Sequence, residues 1–239
     1  MACTILQIVQ QFCARTALPV PSQVFGAVDA ATIQYGALAN EVLEDMVDRG
    51  YWQELIYEAT FTSVASEDQG DIYTIAPNGL DYILNKTIFD RTLRLPIYGP
   101  LSPSEWQALK ALPTTGPLYQ YRIRNNRLLT TPAMAAGHSC AFEYKSTWYV
   151  QKTGGATFDS WFTADSDMPY IDERVFIQGC RWKWKYEKGL DYAEDKELYD
   201  SSVLNTLSTN ATKKTINLAS PVNEIQPGIF VPAGNWPLP

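Results

Sequence analysis

Histidine is nearly missing from this chain: His138 stands alone in 239 residues. Its neighbours Ser139 and Cys140 form neither a G-x-S-x-G elbow nor a cysteine-protease signature, so nucleophilic catalysis has no motif to rest on. The four cysteines, Cys3, Cys13, Cys140 and Cys180, contain no C-x-x-C pair, which argues against zinc or a disulfide framework and for reduced thiols made in a cytoplasm. Glycine-rich phosphate loops of the G-x-x-x-x-G-K-[ST] or G-x-G-x-x-G type are absent, removing support for nucleotide binding. No stretch of 18 apolar residues occurs, and the N-terminus has no basic run, so a membrane span and a secretion signal are both unexpected. Positive charge is scarce as well. With 19 Lys and Arg against 26 Asp and Glu the net charge is −7, a balance that repels a phosphate backbone.

What is present is enough apolar residue, 46% of the chain, to bury a core. Thr4 and Gln7 have capping-box spacing ahead of Ile5, Leu6, Ile8, Val9, Phe12 and Cys13, which recur at helical intervals. Asp29 is placed to cap a second helix with Ile33, Leu38, Val42, Met46 and Val47 on its apolar stripe, and Gly50 to end it. After Tyr51, the β-branched and aromatic runs Ile56 to Val64 and Ile72 to Ile75 read as strands. Ser102, Pro103 and Glu105 open a short helix bearing Trp106, Leu109 and Leu112. Asn125-Asn126 marks a hairpin turn between Tyr119–Arg124 and Arg127–Leu129, and a strand with Cys140, Phe142 and Tyr144 on one face follows. Helical patterns return at Ile171–Lys188 and Asp191–Leu207, the second with Tyr192, Leu198, Tyr199, Val203 and Leu207 inward.

The fold class this order predicts is α+β: an antiparallel helical bundle of N- and C-terminal helices, residues 1–52 and 168–209, with an antiparallel β domain inserted at 53–167. Residues 210–239 are expected to form an extended arm. Pro221, Pro227, Pro232, Pro237 and Pro239 prevent regular structure there, while Ile216, Leu218, Val222, Ile225, Ile229, Phe230, Val231, Trp236 and Leu238 are too apolar for a solvated tail. Such a segment seeks a partner surface, or packs back on its own or an adjacent subunit.

Other candidate sites have simpler explanations. Asp165 and Asp167 lack the sixth-position glycine of an EF-hand loop, and the pairs Asp172-Glu173 and Glu194-Asp195 are what an acidic protein offers by chance. Arg181, Trp182, Lys183, Trp184, Lys185 and Tyr186 alternate charge and aromatic rings as a single-strand binding surface does. On a helix, however, Trp182 and Tyr186 share a face and Trp184 points about 160° away, so packing by one face and subunit contact through Arg181 and Trp184 is the expectation. No catalytic, cofactor or metal residue is assigned, and the chain reads as non-enzymatic.

The strings TILQIVQQFCARTALPVPSQVFGAVD, LRLPIYGPLSPSEWQALKAL with PLYQYRIRNN, and RWKWKYEKGLDYAED resemble the head-to-tail adaptor, or connector, family of short-tailed bacteriophages, over nearly the whole chain. The resemblance implies a virion protein of the head-tail junction, made in the host cytoplasm. It implies a ring of about twelve copies between the portal protein and a tail nozzle or tubular protein, with genomic DNA passing through the lumen without specific binding. It also implies that a C-terminal extension grips the portal. A peptidoglycan-degrading virion enzyme and a single-stranded nucleic-acid-binding module are the competing expectations.

Overall fold

The structure is a computed structural model that describes residues 3–111, 118–155 and 157–210. The nine apolar arm positions from Ile216 to Leu238, and Leu112 of the short helix, lie outside the described residues.

Helix α1 (Ile5–Arg15) is opened by the Thr4–Gln7 capping box, and α2 (Ala30–Asp48) by the Asp29 carboxylate, which accepts from the Thr32 N–H. A 3-10 turn at Gln53–Leu55 leads into β1 (Ile56–Thr62). Then come β2 (Asp68–Asp71), α3 (Ile72–Ile75), β3 (Leu80–Ile83), β4 (Phe89–Asp90) and β5 (Leu95–Pro96). Helix α4 (Pro103–Ala111) carries a second capping box, since Glu105 accepts from the Ser102 N–H at 2.8 Å and Ser102 from the Glu105 N–H at 3.3 Å. It is followed by β6 (Gln120–Arg124), β7 (Arg127–Thr131), β8 (Ser139–Ser146), β9 (Val150–Gln151), β10 (Phe158–Asp159) and β11 (Met168–Pro169). The chain closes on α5 (Glu173–Glu187) and α6 (Ala193–Asn210).

Three antiparallel sheets form among the described residues: β1-β8-β4-β5 with β3 also on β8, β2-β7-β6, and β10-β9-β11. The hairpin β6–β7 turns on Asn125 and Asn126, both at positive φ (51° and 60°), a conformation that asparagine tolerates better than other side chains. Two cores result. One joins α1, α2, α5 and α6 through residues such as Ile8, Phe12, Leu43, Met46, Phe176 and Tyr199. The other lies in the β region around Ile72, Tyr121, Leu128, Cys140, Phe142 and Tyr144.

The expected fold class is corrected in its architecture. The chain is α+β with helices at both ends, but the helices do not make an antiparallel bundle with a single β domain inserted. Instead α5 is central, and α1, α2 and α6 each lay their backbone against it. The third sheet also belongs with the helices: Tyr149, Val150 and Phe162 fill the helical core, and the Phe162 and Phe176 rings lie 5.9 Å apart. Residues 149–169 thus supply apolar surface that the four helices lack among themselves. Gly179 makes the crowding at α5 possible, because a Cβ there would meet Val42 Cγ1 at 2.4 Å and the Tyr199 ring at 3.0 Å.

Three finer expectations also change. Residues 72–75 are helical rather than extended, since the Asp71 side chain accepts from the Tyr73 and Thr74 N–H groups and outweighs their β propensity. Ile33 and Leu198, placed on inward stripes, are 55% and 46% exposed. The two cores meet at Lys145, whose ammonium is buried and donates to the Val47 carbonyl at 2.9 Å, where the C-terminal end of α2 favours positive charge.

Candidate functional site

The basic and aromatic segment of α5 was the strongest chemical signal in the sequence, and its side chains are mostly turned to partners within the chain. Arg181 pairs with Asp195 of α6, and Lys185 Nζ lies 2.6 Å from the other oxygen of the same carboxylate. Burial would raise the Asp195 carboxyl, but the hydrogen bonds and charges of Arg181 and Lys185 hold it below the usual carboxylate range. Lys183 Nζ sits 2.6 Å from Glu41 of α2, and Lys188 donates to Gln34 at 2.8 Å. Trp182 is buried among Tyr186, Tyr192 and Tyr199, with ring centroids 5.9 to 6.5 Å away. Trp184 is half-buried on the opposite side, edge-on to Phe12 at 6.4 Å. Successive bases therefore meet no continuous row of rings on α5, and the cations beside the rings are already neutralised.

On the neighbouring face Tyr199 donates to Asp45 at 2.9 Å under the Arg49 guanidinium, which lies 4.8 Å from the ring centroid and pairs with Asp45 and Asp200. Burial, followed by the Asp45 charge, pushes the Tyr199 phenol far up, so it remains a neutral donor.

The carboxylates noted in the sequence have structural work. Asp165 Oδ1 accepts from the Val24 and Phe25 N–H groups at 2.9 and 2.7 Å, tying the loop before α2 to the loop before β11. Asp167 is buried and accepts from Thr163, Ala164 and Lys152 at 2.8 to 3.0 Å; these bonds overcome burial and keep its carboxyl below the ordinary range. Asp172 caps α5 through the Arg174 and Val175 N–H groups, and Glu173 accepts from the Cys3 N–H. Among the described residues, no group of three or more His, Cys, Asp or Glu is arranged to hold a metal ion.

His138 Nδ1 lies 2.7 Å from Asp90 Oδ2, while Asp90 Oδ1 accepts from the Thr92 and Leu93 N–H groups. An Asp–His pair orients a catalytic base only if a nucleophile stands at the other ring nitrogen. Ser63 is committed elsewhere, donating to the Ala135 carbonyl at 2.5 Å and accepting from the His138 backbone N–H. Cys140 is buried, and burial pushes its thiol up to about 12, so the nucleophilic thiolate is not formed at neutral pH.

The sequence reading missed a pocket of about 300 Å³ between β3 and β6. Tyr73, Tyr82, Tyr121, Ile72, Ile83 and Ile123 are among its lining residues, with Asp81, Asn85 and Asn126 supplying polar groups. Tyr121 is 1% exposed, and its hydroxyl has no hydrogen-bond partner among the described residues. Burial pushes that phenol up to about 12, so it is a proton donor at neutral pH. The alternation Tyr119, Tyr121, Ile123 was the only sequence signal, and it marks a buried face without revealing an unsatisfied hydroxyl.

Among the described residues, no helix is long and apolar enough to cross a membrane. Compared with known proteins, the chain matches no family model, and no curated relative matches its sequence.

Proposed function

We propose that this chain is a structural subunit of a virion, a ring-forming head-to-tail adaptor that joins a portal protein to a tail nozzle or tubular protein and lines the path of DNA exit. The observation that carries this reading is the inward commitment of the α5 cations: Arg181, Lys183 and Lys185 each have a carboxylate partner within the chain. A conduit of this kind must let DNA slide, and attractive phosphate contacts slow that passage. The net charge of −7 points the same way. The strings that carry the family resemblance fall on α1, on the stretch from β5 through β6, and on the α5–α6 corner, so the likeness is spread over both cores. Arg181 and Trp184 are half-buried, and in this reading the surface each leaves open meets a neighbouring subunit.

In this reading the apolar residues from Ile216 to Leu238 engage the portal. Several arms tethered to one ring bind with high effective concentration, so a weak single contact suffices for a stable junction. Sedimentation with and without portal rings tests it, comparing the whole chain with one lacking residues 211–239. The whole chain co-sediments with the portal and the shortened one does not. Equal co-sedimentation would remove the arm from the account.

A further inference from the structure

We propose that, in the free subunit, the pocket between β3 and β6 holds residues 227–239 of the same chain, with the Tyr121 hydroxyl donating to a peptide carbonyl of that segment. The inference does not depend on the adaptor reading, because it follows from the pocket and from the chemistry of residues 227–239.

Three tyrosines line the pocket, and Tyr73 and Tyr82 are 50% and 39% exposed at its mouth. Tyrosine-lined grooves recognise proline-rich segments, whose rings stack on the aromatic faces and whose carbonyls are left free by the missing N–H groups. Residues 227–239, PGIFVPAGNWPLP, are of this composition and contain no Asp, Glu, Lys or Arg. Asp81 is the one ionic lining residue, and its carboxylate lies 3.6 Å from Lys145 Nζ, so the site offers an entering segment little net charge. A buried hydroxyl without a partner is destabilising, and a bound carbonyl removes that penalty.

Reach is sufficient. Helix α6 ends at Asn210, whose side-chain amide donates to Glu54 at 3.0 Å. Three residues before Glu54, the ring of Tyr51 stands 6.1 Å from the ring of Tyr82 at the pocket mouth. That path is on the order of 25 Å, whereas the connector 211–226 extends to roughly 55 Å.

The test is photocrosslinking in the dilute full-length chain with p-benzoylphenylalanine in place of Tyr82, read by mass spectrometry and denaturing gel. Crosslinks to residues 227–239 are expected in a band of monomer mass. Phe230→Asp is expected to lower their yield about tenfold, and Tyr121→Phe about fivefold, the loss of one net hydrogen bond. Absence of crosslinks to 227–239, or their appearance only in a dimer band, would overturn docking within one chain. An unchanged yield in Tyr121→Phe would overturn the role of the hydroxyl. Sedimentation of the ring with the portal is a separate readout, so failure of the assembly reading is distinguishable from failure here.

Discussion

Two buried tyrosines summarise how the helical and β regions differ. Tyr199, in the helical core, gives its hydroxyl to Asp45 and its ring to Arg49, inside a set of ion pairs that also engages Asp200. Tyr121, in the β region, is as deeply buried, yet its hydroxyl bonds to nothing among the described residues and it lines a pocket. The helical region also leaves buried groups unpaired among the described residues, Trp182 Nε1 and Gln178 Oε1, but neither lines the pocket. What sets the β region apart is that its unpaired donor, Tyr121, lines a pocket from which a partner can complete it.

The contrast can be broken at several points. Phe176→Ala, at the centre of the helical core against Phe162, is expected to destabilise by about 3–5 kcal/mol, measured by denaturant unfolding. Gly179→Ala forces a methyl against Val42 and Tyr199 and is expected to lower stability by ~1–3 kcal/mol, with a matching fall in thermal midpoint. Tyr199→Phe removes a made hydrogen bond and is expected to destabilise by about 1 kcal/mol. Tyr121→Phe removes an unmade one and, in a chain lacking 211–239, should raise stability by up to ~1–3 kcal/mol, because no buried hydroxyl is left unpaired. If the two Tyr→Phe variants lose equal stability, the distinction between the regions fails.

Acid acts on two of the partly enclosed ion pairs on the helical side. The carboxyls of Asp195 and Asp167 are both depressed in the folded chain, so their stabilisation is fully present above the unfolded value of about 3.9 and is lost as pH falls through the lower folded values. Asp195→Asn is expected to flatten the pH dependence of the melting temperature below about pH 4 and to leave the slope near neutrality unchanged.

Local hydrogen-bond chemistry was readable from sequence where the donor and acceptor are close in the chain. The capping boxes of Thr4 with Gln7 and Ser102 with Glu105, the Asp29 cap and the Asn125-Asn126 turn all stand where spacing placed them. Readings failed where a local cap overrode propensity or where packing against distant segments decided which side is buried. Ile72–Ile75 has strand-forming residues, yet Asp71 starts a helical turn there. Leu198 has the right interval for a stripe, but Tyr199 and Val203 take the inward side of α6 and leave it exposed. The short β9 strand gave no sign that Tyr149 and Val150 would join the helices, which is why a self-sufficient bundle was expected. At the candidate sites, the Arg181–Asp195 and Lys183–Glu41 pairs connect different helices, so spacing along α5 alone did not reveal that these cations are paired within the chain.

The central claim is that this chain is an assembly subunit, and native mass measurement of the purified full-length chain mixed with portal rings tests it most directly. The account predicts a complex carrying a ring of about twelve copies of the 26.8 kDa chain on each portal ring. A chain that remains at monomer mass at every portal concentration would contradict it.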